Sequence, residues 1–372
     1  MSERKAFKNW FDAALIRQLS DRLRAAEPRF AQARFVRAAG RGLDALEMMG
    51  RVGQIADAMQ TALPGPTAVN LRALTTSLPP IAPPDQGITE YGYILWPYGE
   101  FIARHCLDDV DTSFTAMVAL TQRFSAEFAV RPFLANDPDG MLGRLGTLVA
   151  HESEHVRRWA SEGTRTRLPW GRRVPALEAR LEQRLDLLAA LRHDPSRYVQ
   201  RSVANHLGDI LKDDRPRGLD CLEAWSREDH PATGWIVRHA ARTVLKQGDP
   251  RALALFGQAP SDELVVEQVR VRPTRVALGG AVTLAIRIRN RGAERRSMRL
   301  DYRLQSPGAG DRVNVATFRI GDFTLDPGAQ IDREFSHAFV QRTIRQVRPG
   351  RHRFSLFVNG VEAEHVEVRV TA

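Results

Sequence analysis

The chain has 372 residues, 43% hydrophobic and 26% charged, with 54 Lys and Arg against 44 Asp and Glu, a formal net charge of +10. That length suits two domains with well-filled cores, and the composition is that of a globular protein in water. Two cysteines, Cys106 and Cys221, exclude a disulfide framework and a zinc-ligand spacing, and no run of 18 apolar residues is present to form a membrane helix.

The basic surplus favours a polyanionic partner, nucleic acid before membrane. Only four of the 54 cations are Lys (Lys5, Lys8, Lys212, Lys246), so a codon bias toward Arg contributes to the charge. The first residues, MSERKAFKNWF, lack the apolar core of a signal peptide, which sets the expectation of a cytoplasmic, nucleoid-associated protein.

In chain order, helical patterns run over residues 10–23, 29–43 and 46–63, the third stopped by Leu-Pro-Gly-Pro at 63–66. A proline-rich stretch, Leu78-Pro-Pro-Ile-Ala-Pro-Pro, reads as a surface loop. Residues 94–257 are helical again, punctuated by Asp137-Pro138, Asp194-Pro195, His230-Pro231 and Asp249-Pro250, pairs that suit helix starts. Within this region one phrase recurs. It reads His-Val-Arg-Arg-Trp-Ala-Ser-Glu at 155–162, Tyr-Val-Gln-Arg-Ser-Val-Ala-Asn at 198–205 and Ile-Val-Arg-His-Ala-Ala-Arg-Thr at 236–243. The spacings between Val156, Val199 and Val237 are 43 and 38 residues, a period that belongs to HEAT-type helix pairs stacked into a solenoid. Six residues past each Val stand Glu162, Asn205 and Thr243. A carboxylate at one copy only points to a site rather than to scaffolding.

Past Gln258 the pattern changes to alternation. Val265, Val269 and Val271, then Val282, Leu284, Ile286 and Ile288, have the period of half-buried strands. Further strands are expected over 299–305, 315–320, 334–340, 354–358 and 366–370, separated by turns such as Asn359-Gly360. The predicted fold is therefore a multidomain one. An all-α HEAT-like solenoid, 1–258, precedes an all-β immunoglobulin-like sandwich, 263–372.

Five segments carry a family resemblance: Lys8-Asn-Trp-Phe, Gly42-Leu-Asp-Ala-Leu-Glu, Phe124-Ser-Ala-Glu-Phe-Ala-Val-Arg-Pro-Phe, Arg157-Arg-Trp-Ala-Ser-Glu-Gly-Thr-Arg-Thr-Arg-Leu-Pro-Trp and Tyr198-Val-Gln-Arg-Ser-Val-Ala-Asn-His-Leu-Gly-Asp. On these residues the first 257 positions resemble the AlkC branch of the AlkC/AlkD superfamily of bacterial alkylpurine DNA glycosylases, and the whole chain resembles the subgroup with a C-terminal immunoglobulin-like domain. The resemblance implies excision of N3-methyladenine and N3-methylcytosine from double-stranded DNA, base excision repair by N-glycosidic bond hydrolysis. It implies no metal and no organic cofactor, and engagement of the lesion from the backbone side without full base flipping, unlike most glycosylases. An open concave face makes a monomer the expectation.

An N3-alkylated base is already cationic, so the enzyme needs no general acid. It must stabilise an oxocarbenium-like sugar and position water, work suited to carboxylates in a dry cleft. Glu162 is the first candidate, against the plainer reading of an i, i+4 pair with Arg158. Glu127 is the second. It is flanked by Phe124, Phe128 and Val130, where an unpaired carboxyl would be pushed up, and its plainer alternative is a salt bridge to Arg131. Trp170, in a proline loop, is expected to pack on the deoxyribose, whereas Trp159 reads as core. Arg158, Arg165, Arg167, Arg172, Arg173, Arg201 and Asn205 are candidate phosphate ligands. Asp209, Trp96 and Glu100 are possible cleft neighbours. Residues 261–372 hold 19 Arg against 13 Asp and Glu, a net +6, and the Arg-rich stretches 291–299 and 342–353 are candidate duplex contacts. The competing readings are a non-catalytic HEAT-repeat binder of branched or distorted DNA, and a protein-scaffolding solenoid.

Overall fold

A computed structural model describes residues 6–81, 92–341 and 346–372. The helical region opens with α1 (Ala13–Ala26), capped by Asp12, whose carboxylate accepts from the amides of Ala14 and Leu15. α1 buries Leu15, Ile16, Leu19 and Leu23 at helical spacing. α2 (Gln32–Gly40) and α3 (Met48–Ala62) occupy the next two predicted helical stretches. A further helix, α4 (Thr67–Thr76), lies where the sequence offered no strong pattern, because its buried Leu71, Ala73 and Leu74 form only a short apolar stripe. The part of the proline-rich stretch after Ile81 lies outside the described residues.

Then come α5 (Trp96–His105), α6 (Val110–Thr121), α7 (Arg131–Asn136), α8 (Pro138–Gly146), α9 (Glu154–Gly163), α10 (Leu181–Leu191), α11 (Arg197–Asp213), α12 (Arg215–Ser226), α13 (Pro231–Ala240), α14 (Arg242–Gln247) and α15 (Pro250–Ala254). Asp137 and Asp249 cap α8 and α15 ahead of a proline in the first turn, as expected. Asp194-Pro195 departs from that rule. Ser196 caps α11, which frees the Asp194 carboxylate to meet Arg157 at 2.6 Å.

The three phrase valines, Val156, Val199 and Val237, are all buried. α9 packs directly on α11, and α10 on both. The third copy of the phrase is broken, since the helix pauses at Ala241 and places Thr243 on the separate α14.

The sandwich contains β1 (Leu264–Arg272), β2 (Arg275–Ala277), β3 (Ala281–Asn290), β4 (Arg296–Pro307), β5 (Val313–Leu325), β6 (Gln330–Ala338), β7 (Gly350–Val358) and β8 (Val361–Thr371). One sheet has the order β1-β3-β6 and the other β2-β8-β7-β4-β5, antiparallel except for the β2–β8 pair. Alternate residues of β3, Val282, Leu284, Ile286 and Ile288, are buried against Tyr302, Leu304, Phe354 and Leu300. β2 escaped the sequence reading because three residues carry no measurable alternation.

The chain forms two compact units, residues 1–214 with 230–236, and 215–229 with 237–372. Among the described residues no helix is long and apolar enough to cross a membrane. The Arg stretches expected to grip a duplex are largely engaged inside the sandwich. Arg291 pairs with Glu267 at 3.2 Å, Arg296 with Glu263 at 2.6 Å, Arg299 with Asp301 at 2.7 Å and Arg353 with Glu362 at 2.8 Å. Arg342 and Arg345 lie outside the described residues.

Candidate active site

Glu162 sits on the last turn of α9, the end where the helix dipole disfavours a carboxylate, and only 5% of it is exposed. A buried carboxylate in that position needs partners. Arg165 donates to its Oε1 at 2.6 Å and Ser202, on the facing side of α11, donates to its Oε2 at 2.6 Å. Arg158, one turn back, lies at 3.7 Å. The i, i+4 pair and the candidate site are thus the same feature.

Arg165 also binds Asp209 of α11 at 2.7 Å, and Asp209 is 2% exposed, with Lys212 at 3.5 Å. Arg158 donates to Glu127 at 2.8 Å and to Ser125 Oγ at 3.1 Å, and its guanidinium lies 4.8 Å from the Tyr198 ring centroid. The outcome is an alternating row, Glu127–Arg158–Glu162–Arg165–Asp209, with three carboxylates and two guanidiniums. With Lys212 beside Asp209 its three carboxylates face three cations, and Glu162, Arg165 and Asp209 are buried while Arg158 and Glu127 are half-buried.

Burial pushes the Glu162 carboxyl up, but the charges of Arg158 and Arg165 and the Ser202 hydrogen bond outweigh it and hold the group below the usual carboxylate range. Burial likewise opposes the charge of Arg158 and Arg165, and their carboxylate partners more than restore it. Glu162, Arg158 and Arg165 are therefore all charged at neutral pH. Beneath it lies His206, fully buried, with Nδ1 3.0 Å from the Ser161 carbonyl and Nε2 3.4 Å from Arg184. Burial, with the positive Arg184 and Arg165 nearby, pushes its pKa well below the ordinary value, so it is a neutral prop that donates from Nδ1 and faces Arg184 with its lone pair.

The loop after α9 carries Trp170. Gly171 N–H donates to the Leu168 carbonyl at 3.1 Å, closing a turn with Pro169 second and Trp170 third at φ +63°. Glycine or asparagine normally takes that left-handed position. Trp170 is instead held there 70% exposed, with its ring stacked 6.3 Å from Trp96, which in turn stacks on Phe128 at 5.1 Å. The loop is clamped by Arg131, buried at the start of α7, which donates to the carbonyls of Gly163 (3.0 Å), Arg165 (2.7 Å) and Arg172 (2.8 Å).

Several expectations need correction. Glu127 pairs with Arg158 and not with Arg131, because Arg131 is committed to the loop carbonyls. Arg158 and Arg165 are not open phosphate ligands, since both guanidiniums are consumed by the carboxylate row. Arg167 pairs with Asp213 at 2.6 Å. Arg172, Arg173 and Arg201 are exposed, and Asn205 is half-buried on α11. Trp96 joins the aromatic stack beside Glu127, whereas Glu100 faces Arg104 at 2.6 Å, in an ion-pair group with Asp57 of α3. Trp159 is core, fully buried. Sequence reasoning missed Ser202 and His206, and saw Arg131 only as a partner for Glu127. Ser202 stands three residues after Val199, where the first copy of the phrase has Trp159, and that small polar substitution was the available signal. Among the described residues no group of three or more His, Cys, Asp or Glu is arranged to hold a metal ion.

A family model described as the C-terminal Ig-like domain of the uncharacterised protein YhaZ matches residues 265–372. The uncharacterised protein YhaZ of Bacillus subtilis (strain 168) is 31% identical over 364 residues, covering 98% of this chain and 99% of that one. The solved structure of the Pseudomonas fluorescens alkylpurine DNA glycosylase AlkC, bound to DNA containing an abasic site analog, is 30% identical. It superimposes with a TM-score of 0.88 over 99% of this chain and 100% of the other. With fold and sequence agreeing over the full length, the chain belongs to the AlkC branch of the AlkC/AlkD superfamily, in the subgroup that carries a C-terminal immunoglobulin-like domain.

Proposed function

We propose that this protein is a DNA glycosylase that excises cationic alkylated bases, N3-methyladenine and N3-methylcytosine, from double-stranded DNA. The observation that carries the reading is the row Glu127–Arg158–Glu162–Arg165–Asp209, whose carboxylates are fixed in place by guanidiniums, on the same loop-and-helix framework as Trp170. The glycosidic electron pair leaves with the base and neutralises its ring, so no acid is required. Positive charge then builds on the deoxyribose, where the fixed carboxylates of Glu162 and Glu127 lower its energy. Glu162, held below the usual carboxylate range, is a weak base and a strong electrostatic stabiliser. Glu127 keeps 14% of its side chain exposed against 7% for Glu162, and is the carboxylate that accepts the hydrogen bond of the attacking water. Trp170 packs on the sugar, and Arg172, Arg201 and Asn205 hold flanking phosphates. The reading assigns excision to residues 1–258, gives 263–372 to the immunoglobulin-like domain, uses no cofactor, and takes the protein to be a monomer in the bacterial cytoplasm.

The test is single-turnover release of methylated bases from dimethyl-sulfate-treated DNA by wild type and Glu162→Gln. Wild type releases N3-methyladenine, and the variant loses at least ~10²-fold in rate while keeping its DNA affinity. Full activity in the variant removes Glu162 from the mechanism. One observation favours a second reading, a non-catalytic binder of distorted DNA: each carboxylate of the row already has a cationic partner. Absence of release by either protein selects it.

A further inference from the structure

Glu127 differs from the other two carboxylates of the row in where it sits and how it is held. Glu162 and Asp209 project from α9 and α11, whereas Glu127 lies in the turns between α6 and α7, where no helix fixes it. Glu162 spends both oxygens, Oε1 on Arg165 and Oε2 on Ser202, and Asp209 sets Oδ2 against Arg165 and Oδ1 against Lys212. At Glu127 both hydrogen bonds converge on Oε2, one from Arg158 Nη1 at 2.8 Å and one from Ser125 Oγ at 2.8 Å. Among the described residues no hydrogen bond reaches Oε1.

The Ser125 hydroxyl has one direction left in which to donate. Its oxygen already receives Arg158 Nη1 at 3.1 Å and the backbone amide of Glu127 at 3.4 Å, the latter closing a serine turn. Its single hydrogen is left for Glu127 Oε2. The turn is itself anchored. Thr121 Oγ1, at the end of α6, accepts from the Ala126 amide at 3.3 Å, and Phe128 stacks on Trp96 at 5.1 Å. A competing geometry gives this contact its importance. A guanidinium and a carboxylate left to themselves favour two parallel bonds that use both oxygens. Arg158 has the nitrogen for it, since Nη2 comes only to 3.7 Å from Glu162. That pairing commits Oε1 to Nη2. The hydroxyl instead holds Oε2 end-on against Nη1, and Oε1 stays open.

We propose that Ser125 is a positioning residue that locks the Glu127 carboxylate end-on to Arg158 through Oε2 and reserves Oε1 as the atom that accepts the hydrogen bond of the attacking water. The water belongs to the glycosylase reading above, on which this assignment rests, whereas the end-on carboxylate is testable without it. Wild type, Ser125→Ala and Ser125→Thr are compared as full chains in high-resolution crystal structures. The same proteins are assayed for single-turnover release from dimethyl-sulfate-treated duplex, with the dissociation constant measured by fluorescence anisotropy. In Ser125→Ala the Glu127 carboxylate is expected to turn to the two-bond pairing or to split between conformers. Release at saturating enzyme then slows about tenfold, the worth of one hydrogen bond to a charged group, while the dissociation constant stays within about twofold of wild type. Ser125→Thr restores the hydroxyl, and with it the end-on carboxylate and the rate. An Ala variant whose Glu127 keeps the wild-type geometry overturns the proposal, whatever its rate. Equal losses in Ala and Thr overturn it too, since they mark a packing role. A turned carboxylate with an undiminished rate removes Oε1 from the water step. A wild type that releases no methylated base loses the glycosylase reading, and the crystal structures alone then decide the end-on lock.

Discussion

At Ser202 one hydroxyl adds to the two guanidiniums that keep the facing Glu162 ionised. Its 2.6 Å bond to Glu162 Oε2 is one of the contributions that hold that carboxyl below the usual range against burial. A group with a depressed pKa is ionised above that value and loses its charge as pH falls through it, so the acid limb of the excision rate belongs below the ordinary glutamate value of about 4.3. Ser202→Ala removes one of the lowering contributions. The rate at neutral pH is expected to fall about tenfold, the worth of one hydrogen bond to a charged group, and the acid limb to move up toward the ordinary value. A pH–rate profile of the variant superimposable on that of wild type would separate Ser202 from Glu162. The repeated phrase and the family resemblance pointed to Glu162, whereas its hydroxyl partner comes from a helix 40 residues on and becomes visible only when α9 and α11 are packed.

The element that presents Trp170 trades local comfort for exposure. The turn Leu168–Pro169–Trp170–Gly171 places a bulky residue at φ +63°, a conformation that costs about 1–3 kcal/mol outside glycine. Such a cost persists only where the surroundings over-determine the turn, and the three carbonyl bonds of Arg131 do so. Trp170→Gly separates the two effects. Relief of the left-handed backbone leaves the melting temperature unchanged or raised, while release of N3-methyladenine falls about tenfold for want of the sugar contact. Thermal melting and single-turnover excision measured on one preparation decide it, and retention of full activity would end the sugar-packing role. Proline at the second position made the turn legible, but a tryptophan at the third argued against the left-handed conformation. Only the clamp explains it.

On the scale of the molecule, the sandwich is secured by a residue that local rules also mark as unusual. Asn359 is 1% exposed, at φ +48°, with Nδ2 donating to the carbonyls of Ala259 (2.8 Å) and Ser297 (3.3 Å) and Oδ1 accepting from the Arg299 amide (2.7 Å). It ties the segment after α15 to β4 and β7. Asn359→Ala leaves those groups unsatisfied and is expected to destabilise the sandwich by about 2–4 kcal/mol. Five of the six Trp lie in the first compact unit, so their fluorescence reports that unit, while far-ultraviolet circular dichroism near the β-sheet minimum includes the sandwich. In urea the dichroism transition should move to lower denaturant and the fluorescence transition should stay. Equal shifts in both would mean that the two units unfold together.

What the amino-acid order determined by itself was periodic. Val156 and Val199 marked two packed helices, alternation in β3 marked a half-buried strand, and the single carboxylate at Glu162 within a repeated phrase marked a candidate site. These follow from contacts between near neighbours in the chain, whose geometry the backbone repeats. The tertiary structure alone decided which charges are spent and which remain available. Arg158 and Arg165 read as phosphate ligands and became internal partners of buried acids. Arg131, read only as an alternative partner for Glu127, became the clamp of the Trp170 loop. A charge acquires its role from the partners and the water around it, and both are set by residues distant in sequence.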